Sequence, residues 1–391
     1  MKARFPSGSS AIHQTSRAHQ SPMRIAFVLP AYPWKPNGGF RTAYEHANHL
    51  VVRGHEVTVV HSRRLANWPP PPTTKFYRGL RWRARRLRDS IRDSLFKPSL
   101  GWQPIDPRVR LRYVPEPISE YVPDSDAIFA TYWPTAEYVV EYPPSKGEKF
   151  YLIQDFESYF GPEERVKRTW KMPFHRVTIS KWLYENVSAV TQEGRTICVP
   201  EGIDHRRFRM LCDIAARPRC ISMFFSTAPY KAPGDAVRAL ELCKGQQPGI
   251  QAIVFGTGPR PDRLPPWMEY HQNVPEAELV RIYNQSSIFI CSSLAEGFAF
   301  PPAEAMACGC AVVTTDCGGN REYAEHEVTA LLSPPRDPEA LARNVLRLLD
   351  DDSLRRRLAR AGYERIQEFT WEKSADLLAG FVNDCVKTSK G

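Results

Sequence analysis

The stretch EGFAFPPAEAMACG, residues 296–309, directly follows an apolar segment, SIFICSS at 287–293. The apolar segment predicts a buried strand. The two prolines predict the first turn of a helix over 302–308, because proline lacks the N–H that would have no partner there. A strand that turns into a helix places Glu296 and Glu304 at the carboxyl end of that strand. In open parallel sheets, ligands bind at this edge.

The same alternation of apolar strands and amphipathic helices extends in both directions from this stretch. It predicts parallel sheets with right-handed crossovers. The fold class is therefore α/β, with two doubly wound Rossmann-like domains facing a central cleft. Strands are predicted at 24–30, 56–62, 109–115, 127–133, 149–155, 177–180 and 196–200, and again at 220–227, 250–256, 287–293 and 310–315.

Charge, thiols and hydropathy limit the class of protein. Residues 1–200 have a net charge of +12 and the remainder −2, so the first half is expected to meet something anionic. The nine cysteines form no CxxC pair, which indicates reduced thiols in a cytoplasmic protein. No apolar run of the sequence approaches the ~18 residues of a spanning helix. The first 22 residues lack the apolar region of a secretory signal and are predicted to be a disordered tail.

Other candidate site residues also lie at predicted strand ends. Gly38 and Gly39 begin a helix over 38–54, where backbone N–H groups could approach a phosphate. Lys231 stands near a helix start, where a cation is unfavourable unless an anionic ligand is present. The alternatives without a ligand are an ordinary turn at Gly38 and Gly39 and a solvated side chain at Lys231. Glu304 alone could simply suit the helix dipole, but that leaves Glu296 unexplained.

Together these motifs make a family resemblance. The E-x7-E spacing of residues 296–304 resembles the signature of family 4 glycosyltransferases, which are retaining enzymes of the GT-B fold. The order of GG at 38–39, VPEGID at 199–204, Lys231, FGTGP at 255–259 and GGNREY at 318–323 agrees with it. The resemblance covers about residues 23–380. QDFESYF at 154–160 and GGNREY also resemble a bacterial rhamnosyltransferase-like branch that builds surface polysaccharides.

The resemblance implies a role for each motif. Glu304 would bind ribose hydroxyls of a nucleotide, Glu296 the donor sugar, and Lys231 the leaving diphosphate. Lys231 and Glu296 are the predicted catalytic residues. No cofactor and no catalytic metal is expected, because the co-substrate is a nucleoside diphosphate sugar. The predicted donor-binding residues are Gly38, Gly39, Gly256, Gly297, Phe298, Ala299, Phe300 and Glu304, with Arg41, Asp155 and Ser226 as further candidates.

The resemblance also implies the domain roles. The predicted boundaries are a tail at 1–22, an acceptor-binding domain at 23–204, a donor-binding domain at 205–368, and a helix at 369–391 that returns to the first domain. The partners would be a nucleotide-sugar donor and a glycan or lipid-linked acceptor.

Three positions depart from the family pattern. Ser226 stands where most members carry an arginine that binds the diphosphate, and Arg41 is a candidate replacement. No histidine is found in the loop near 130–136. Glu201 replaces the common asparagine of the NG(V/I)D motif. The last two departures concern the acceptor side of the cleft.

The predicted function is transfer of a sugar from a nucleoside diphosphate, with retention of configuration, in surface polysaccharide biosynthesis. A nucleotide-sugar epimerase of the same fold is one alternative, since it would consume donor without an acceptor. A non-enzymatic protein that binds nucleic acid through the arginines of 78–92 is another. The E-x7-E motif argues against nucleic acid as a partner.

The segment RGLRWRARRLRDSIRDSLF at 78–96 predicts a basic amphipathic helix. Such a helix suits an anionic membrane surface, which would make the protein peripheral on the inner face of the membrane. A helix docked on its own domain with a solvated arginine face explains the pattern equally well.

Overall fold

The computed structural model describes residues 21–65, 100–157, 161–191 and 194–390. The predicted amphipathic segment at 78–96 lies outside these residues. The described residues form two parallel sheets, each flanked by helices. This confirms the predicted α/β class with two doubly wound domains.

The first sheet has seven strands in the order β3-β2-β1-β4-β5-β6-β7, all paired in parallel. Its inner strands are short apolar segments, and their side chains are almost completely buried. The strands are β1 (Arg24–Leu29), β2 (Glu56–Ser62), β3 (Arg110–Val114), β4 (Ala127–Ala130), β5 (Glu148–Ile153), β6 (His175–Thr178) and β7 (Thr196–Cys198).

The second sheet has six strands in the order β10-β9-β8-β11-β12-β13, again all parallel. The strands are β8 (Cys220–Phe225), β9 (Gln251–Gly256), β10 (Met268–Gln272), β11 (Ile288–Cys291), β12 (Ala311–Thr315) and β13 (Leu331–Ser333).

Helices cover both faces of the two sheets. In the first half they are α1 (Gly38–Val52), α2 (Trp133–Val139), α3 (Glu163–Trp170) and α4 (Lys181–Ser188). In the second half they are α5 (Pro233–Gln246), α6 (Glu276–Gln285), α7 (Phe300–Ala307), α8 (Pro338–Asp350), α9 (Asp352–Ile366) and α10 (Trp371–Lys390).

Each sheet has one point at which the strand order reverses, between β1 and β4 in the first and between β8 and β11 in the second. Loops that leave neighbouring strands at such a point run to opposite faces, so a crevice opens between them. The loop after β1 carries Gly38 and Gly39, the loop after β8 carries Lys231, and the loop after β11 carries Glu296. The topology therefore gathers the predicted site residues at the two crevices.

Some element boundaries differ from the sequence prediction. The apolar run at 127–133 was predicted as one strand, but β4 ends at Ala130 and α2 begins at Trp133. Thr135 in the first turn of α2 bonds the backbone N–H groups of Thr131 and Tyr132, which fixes the bend. The helix predicted at 302–308 begins two residues earlier, at Phe300. The strands β10 and β13 were not predicted, because β10 is largely polar and β13 has three residues.

The last helix packs against the first domain. The Arg53 side chain at the end of α1 donates to the Asp376 carboxylate at 2.7 Å and to the Glu372 carbonyl at 2.8 Å. The Ile203 N–H donates to the Phe369 carbonyl at 3.0 Å, where two segments of chain cross between the sheets. Among the described residues, no helix is both long and apolar enough to cross a bilayer.

Candidate functional site

A cleft of about 570 Å³ lies between the carboxyl ends of the two sheets. Both domains contribute to its walls through the loops that follow β1, β4, β5, β8, β9 and β11. The first turns of α1 and α7 also point into it. Two cation–carboxylate pairs dominate its chemistry.

Lys231 and Glu296 form the first pair. The Lys231 Nζ lies 2.6 Å from each carboxylate oxygen of Glu296, and the Ser293 hydroxyl donates to the same carboxylate at 2.5 Å. The Glu296 side chain is only 6% exposed. Burial opposes the charge of Lys231, but the adjacent carboxylate outweighs burial and raises the pKa of the ammonium above its ordinary value. Lys231 is therefore a fixed positive charge at neutral pH.

Arg41 and Glu304 form the second pair, which joins the two domains. The Arg41 guanidinium in the first turn of α1 lies 2.5 Å from the Glu304 carboxylate in α7. The Tyr283 hydroxyl donates to the other oxygen of Glu304 at 3.1 Å. Since the Glu304 side chain is 4% exposed, these bonds replace most of its contact with water. The guanidinium also lies over the Phe300 ring, 5.2 Å from its centre.

Glycines let the two domains approach each other at the cleft. A Cβ atom at Gly297 would lie 1.9 Å from the Gln154 carbonyl oxygen of the first domain. A Cβ at Gly319 would lie 1.7 Å from the Gly297 carbonyl oxygen. Glycine is therefore required at both positions because the backbones touch, not because of a special turn. These contacts hold the loop of 296–300 directly against the loop after β5.

Two of the positions that depart from the family pattern line the cleft. The Ser226 hydroxyl accepts a hydrogen bond from the Ala228 N–H at 3.2 Å and supplies no charge. Glu201 is buried, and one of its oxygens accepts from the Thr42 hydroxyl at 2.7 Å while the other has no partner. Burial raises the pKa of Glu201 to about 8, against the opposing effect of the bond from Thr42. This carboxyl is therefore largely protonated at neutral pH.

Most of the predicted site residues line this cleft. They are Gly38, Gly39, Arg41, Asp155, Ser226, Lys231, Glu296, Gly297, Phe298, Phe300 and Glu304. Gly256 does not line it, because Gly256 is packed against the Phe225 carbonyl and the Tyr270 ring. Ala299 is also turned away, and its carbonyl accepts from the Tyr323 hydroxyl at 2.9 Å.

Several residues of the cleft were not predicted from the sequence. Tyr283 lies in the middle of α6, where an aromatic residue is expected to be part of the core. Gln154 and Glu157 belong to the QDFESYF motif, but no signal in the sequence distinguished them from Asp155. Glu157 adopts a left-handed φ of 55°, which is uncommon for a glutamate and places it against the cleft.

A metal centre is not apparent in the described part of the chain. No group of three or more histidine, cysteine, aspartate or glutamate side chains is arranged there to hold an ion. Two carboxylates of the cleft, Glu296 and Glu304, are instead paired with the side-chain cations of Lys231 and Arg41.

Solved structures with the same two-domain arrangement define the fold as GT-B. Sucrose-phosphate synthase from Thermosynechococcus elongatus superposes with a TM-score of 0.68 at 18% identity, over 93% of this chain and 99% of that one. Anabaena Alr3699/HepE, in complex with UDP-glucose, superposes with a TM-score of 0.66 at 16% identity, over 93% and 100% of the two chains.

A family model matches part of the chain, within the second domain. Residues 217–365 match the family model described as "Glycosyl transferases group 1". Together with the GT-B fold, this match confirms the resemblance found in the sequence; the matched residues all lie in the second domain.

Curated relatives agree with this class. The chain is 27% identical to the O-antigen biosynthesis protein RfbC of Myxococcus xanthus over 300 residues, which are 70% of this chain and 22% of that protein. It is 32% identical to the O-antigen chain mannosyltransferase B of Escherichia coli over 106 residues, 27% of each chain. It is 27% identical to a D-inositol 3-phosphate glycosyltransferase of Segniliparus rotundus over 205 residues, covering 47% and 46%. The chain thus spans less than half the length of each of these relatives.

Proposed function

We propose that this protein transfers a sugar from a nucleoside diphosphate sugar to a glycan or lipid-linked acceptor, with retention of configuration, in surface polysaccharide biosynthesis. The observation that carries the proposal is the pair of buried ion pairs, Lys231–Glu296 and Arg41–Glu304, facing one cleft. The O-antigen proteins among the relatives support the assignment to surface polysaccharides.

The two ion pairs have the chemistry that a nucleotide sugar needs. Carboxylates accept hydrogen bonds from the hydroxyls of sugar and ribose, while cations bind the oxygens of a diphosphate. A donor that places hydroxyls on Glu296 and Glu304 would release Lys231 and Arg41 to its diphosphate. The cations would then be paired with the diphosphate, and the carboxylates would accept hydrogen bonds from hydroxyls.

Bond cleavage would be assisted electrostatically. When the bond between the sugar and the phosphate breaks, negative charge accumulates on the diphosphate. A fixed cation in a site shielded from water stabilises this charge more strongly than it stabilises the bound donor. Lys231 would supply this stabilisation, and the backbone of Gly38 and Gly39 at the start of α1 would add to it.

The direct test is a panel of UDP-, GDP- and dTDP-linked hexoses and deoxyhexoses. Release of nucleoside diphosphate would be followed without an acceptor and then with bacterial lipid-linked glycan precursors. The proposal expects slow release from at least one donor alone and faster release with acceptor, giving a product of retained anomeric configuration. Conversion of a donor into its epimer, or no turnover of any donor, would refute it.

Arg41 is expected to serve as the second cation on the diphosphate, in place of a positive charge at Ser226. Arg41→Ala should lower the transfer rate by about 30-fold. This loss is smaller than that expected for a preorganised cation, because Arg41 must leave Glu304 before it can bind the diphosphate. Steady-state transfer rates of Arg41→Ala, of Ser226→Arg and of the variant with both substitutions check this. Arg41→Ala combined with Ser226→Arg should recover most of the activity.

The rescue has a matched control. Thr227 is the next residue, is exposed and does not line the cleft. Thr227→Arg should not rescue Arg41→Ala. If Ser226→Arg also gave no recovery, Arg41 would act only by joining the domains through Glu304.

Transfer is expected to continue in EDTA. The charges that would neutralise the diphosphate come from side chains, so removing divalent cations should change the rate less than about twofold. The measurement is transfer by protein dialysed against EDTA, with and without added Mg²⁺ or Mn²⁺. Loss of activity that either ion restores would contradict metal-independent transfer.

A further inference from the structure

One buried carboxyl lies on the linking segment, residues 199–204, which leads from the first sheet to the second. Glu201 is 1% exposed and lines the cleft. The linking segment is packed against the chain where it returns to α10. The Ile203 N–H donates to the Phe369 carbonyl at 3.0 Å, and a Cβ atom at Gly202 would lie 2.2 Å from the Trp371 nitrogen. The backbone on either side of Glu201 is therefore held in place.

The side chain of Glu201 reaches the first turns of α1. Its Oε1 atom lies 2.7 Å from the Thr42 hydroxyl oxygen, and that oxygen lies 3.1 Å from the Gly38 carbonyl oxygen. Three oxygen atoms thus form a chain from the linking segment to the start of the helix. At the end of this oxygen chain is the turn of Gly38 and Gly39, which the proposed function places at the diphosphate.

The protonation state of Glu201 decides whether the oxygen chain is complete. A hydroxyl has one proton to donate, and the Thr42 hydroxyl lies within reach of two acceptors. If Glu201 is ionised, Thr42 donates either to Glu201 or to Gly38, and the other contact lacks a proton. If Glu201 is protonated, its own O–H donates to Thr42, and Thr42 donates to Gly38. Only the protonated acid satisfies both contacts.

The second oxygen of Glu201 favours the same state. The Oε2 atom is buried, and no described residue bonds to it. A charged oxygen without a partner costs more free energy in such a place than a neutral carbonyl oxygen does. The charged groups that act on this carboxyl are both on α1, where Arg41 favours the ionised form and Glu45 opposes it.

We propose that Glu201 is a positioning residue that, in its protonated form, holds the turn of Gly38 and Gly39 ready for the diphosphate. This inference rests on the proposed function. Donation through Thr42 fixes the Gly38 carbonyl, and the N–H groups of the same turn would bind the diphosphate. When Glu201 loses its proton, the Thr42 hydroxyl turns toward the carboxylate and releases the Gly38 carbonyl. The new negative charge also lies in the wall of a cleft that would bind an anion.

Binding of a nucleoside diphosphate should therefore weaken as the pH rises through about 8, the raised pKa of Glu201. With this pKa, the protonated form predominates at pH 7 and falls to about one tenth at pH 9. The affinity should accordingly fall by up to about 10-fold between pH 7 and pH 9. Lys231 keeps its charge over this range, because Glu296 raises the pKa of the ammonium above its ordinary value.

The test is equilibrium binding from pH 6.5 to 9, with whichever of UDP, GDP and dTDP wild type binds most tightly. Glu201→Gln places an amide N–H where the acid O–H would be, so it can still donate to Thr42. This variant should bind within about twofold of wild type at pH 7 and should keep that affinity at pH 9. Thr42→Val breaks the oxygen chain and should weaken binding at pH 7 by about fivefold, whereas Thr42→Ser should bind as wild type does.

A matched control makes the same change outside the cleft. Glu116 accepts a hydrogen bond from the Tyr138 hydroxyl at 2.6 Å and does not line the cleft. Glu116→Gln should show the same loss of affinity at pH 9 as wild type.

The outcomes separate this inference from the proposed function. The role of Glu201 would be overturned, and the transferase left intact, if Glu201→Gln lost affinity at pH 9 as wild type does or failed to bind at pH 7. A wild-type affinity that stays constant from pH 7 to 9 would have the same meaning. Binding with the expected pH dependence but without turnover of any donor would refute the transferase and retain Glu201 as a positioning residue for diphosphate. A wild-type protein that neither binds nor turns over any of these nucleotides would overturn both.

Discussion

Replacing Lys231 with alanine should lower kcat by about 100-fold to 1,000-fold, the range for loss of one preorganised electrostatic group. The main effect falls on kcat because negative charge on the diphosphate grows in the transition state. The donor KM should change less. The Lys231 Nζ lies 2.6 Å from both oxygens of Glu296, so the ammonium is already in the cleft before a donor binds.

Steady-state kinetics of Lys231→Ala and Lys231→Arg check this expectation. The arginine variant keeps the charge and should retain more activity than the alanine variant. Lys244 in α5 lies outside the cleft lining, and Lys244→Ala should have wild-type kinetics. Near wild-type turnover of Lys231→Ala would remove this residue from the mechanism.

Adding a single methyl group at residue 297 should abolish detectable transfer. The Cβ of alanine would lie 1.9 Å from the Gln154 carbonyl oxygen, and both sides of this contact are backbone. The overlap can be relieved only by separating the two loops. That movement would pull Glu296 away from the groups of the first domain. Gly297→Ala should therefore lose activity while each domain keeps its own core.

The matched control is Gly258→Ala, because no atom lies within 4 Å of a Cβ built at Gly258. Transfer rate, circular dichroism and thermal unfolding would be compared for both variants. Gly258→Ala should retain activity, and Gly297→Ala should retain secondary structure without activity. An active Gly297→Ala protein would show that the contact between the loops is not needed for turnover.

The sequence allowed the fold class to be predicted because inner strands of a parallel sheet are buried on both faces. Such strands are continuous apolar segments, as in AIFA at β4 and IFIC at β11. The edge strand β10 could not be predicted in this way, because MEYHQ is largely polar. The early end of β4 was missed because its continuation, Trp133, is as apolar as the strand.

The positions of Lys231, Glu296 and Glu304 could be predicted for a topological reason. Each lies in the loop or the first helical turn that follows a strand. The carboxyl ends of parallel strands lie at the same edge of a sheet, so these residues come close together. Contacts between the domains could not be predicted, since no local pattern relates Arg41 to Glu304 across 263 positions of the chain.

The Arg41 guanidinium bonds to the same carboxylate, Glu304, that a ligand of the cleft would use. In the proposed function, a nucleoside could reach Glu304 only by displacing the guanidinium, and it would offer that guanidinium no anion in return. A nucleoside diphosphate offers one, so the displaced charge is neutralised again. An unpaired buried charge costs several kcal/mol. The exchange therefore favours the nucleoside diphosphate over the nucleoside, whatever contacts the nucleobase makes. The cleft would admit complete donors and reject their uncharged fragments.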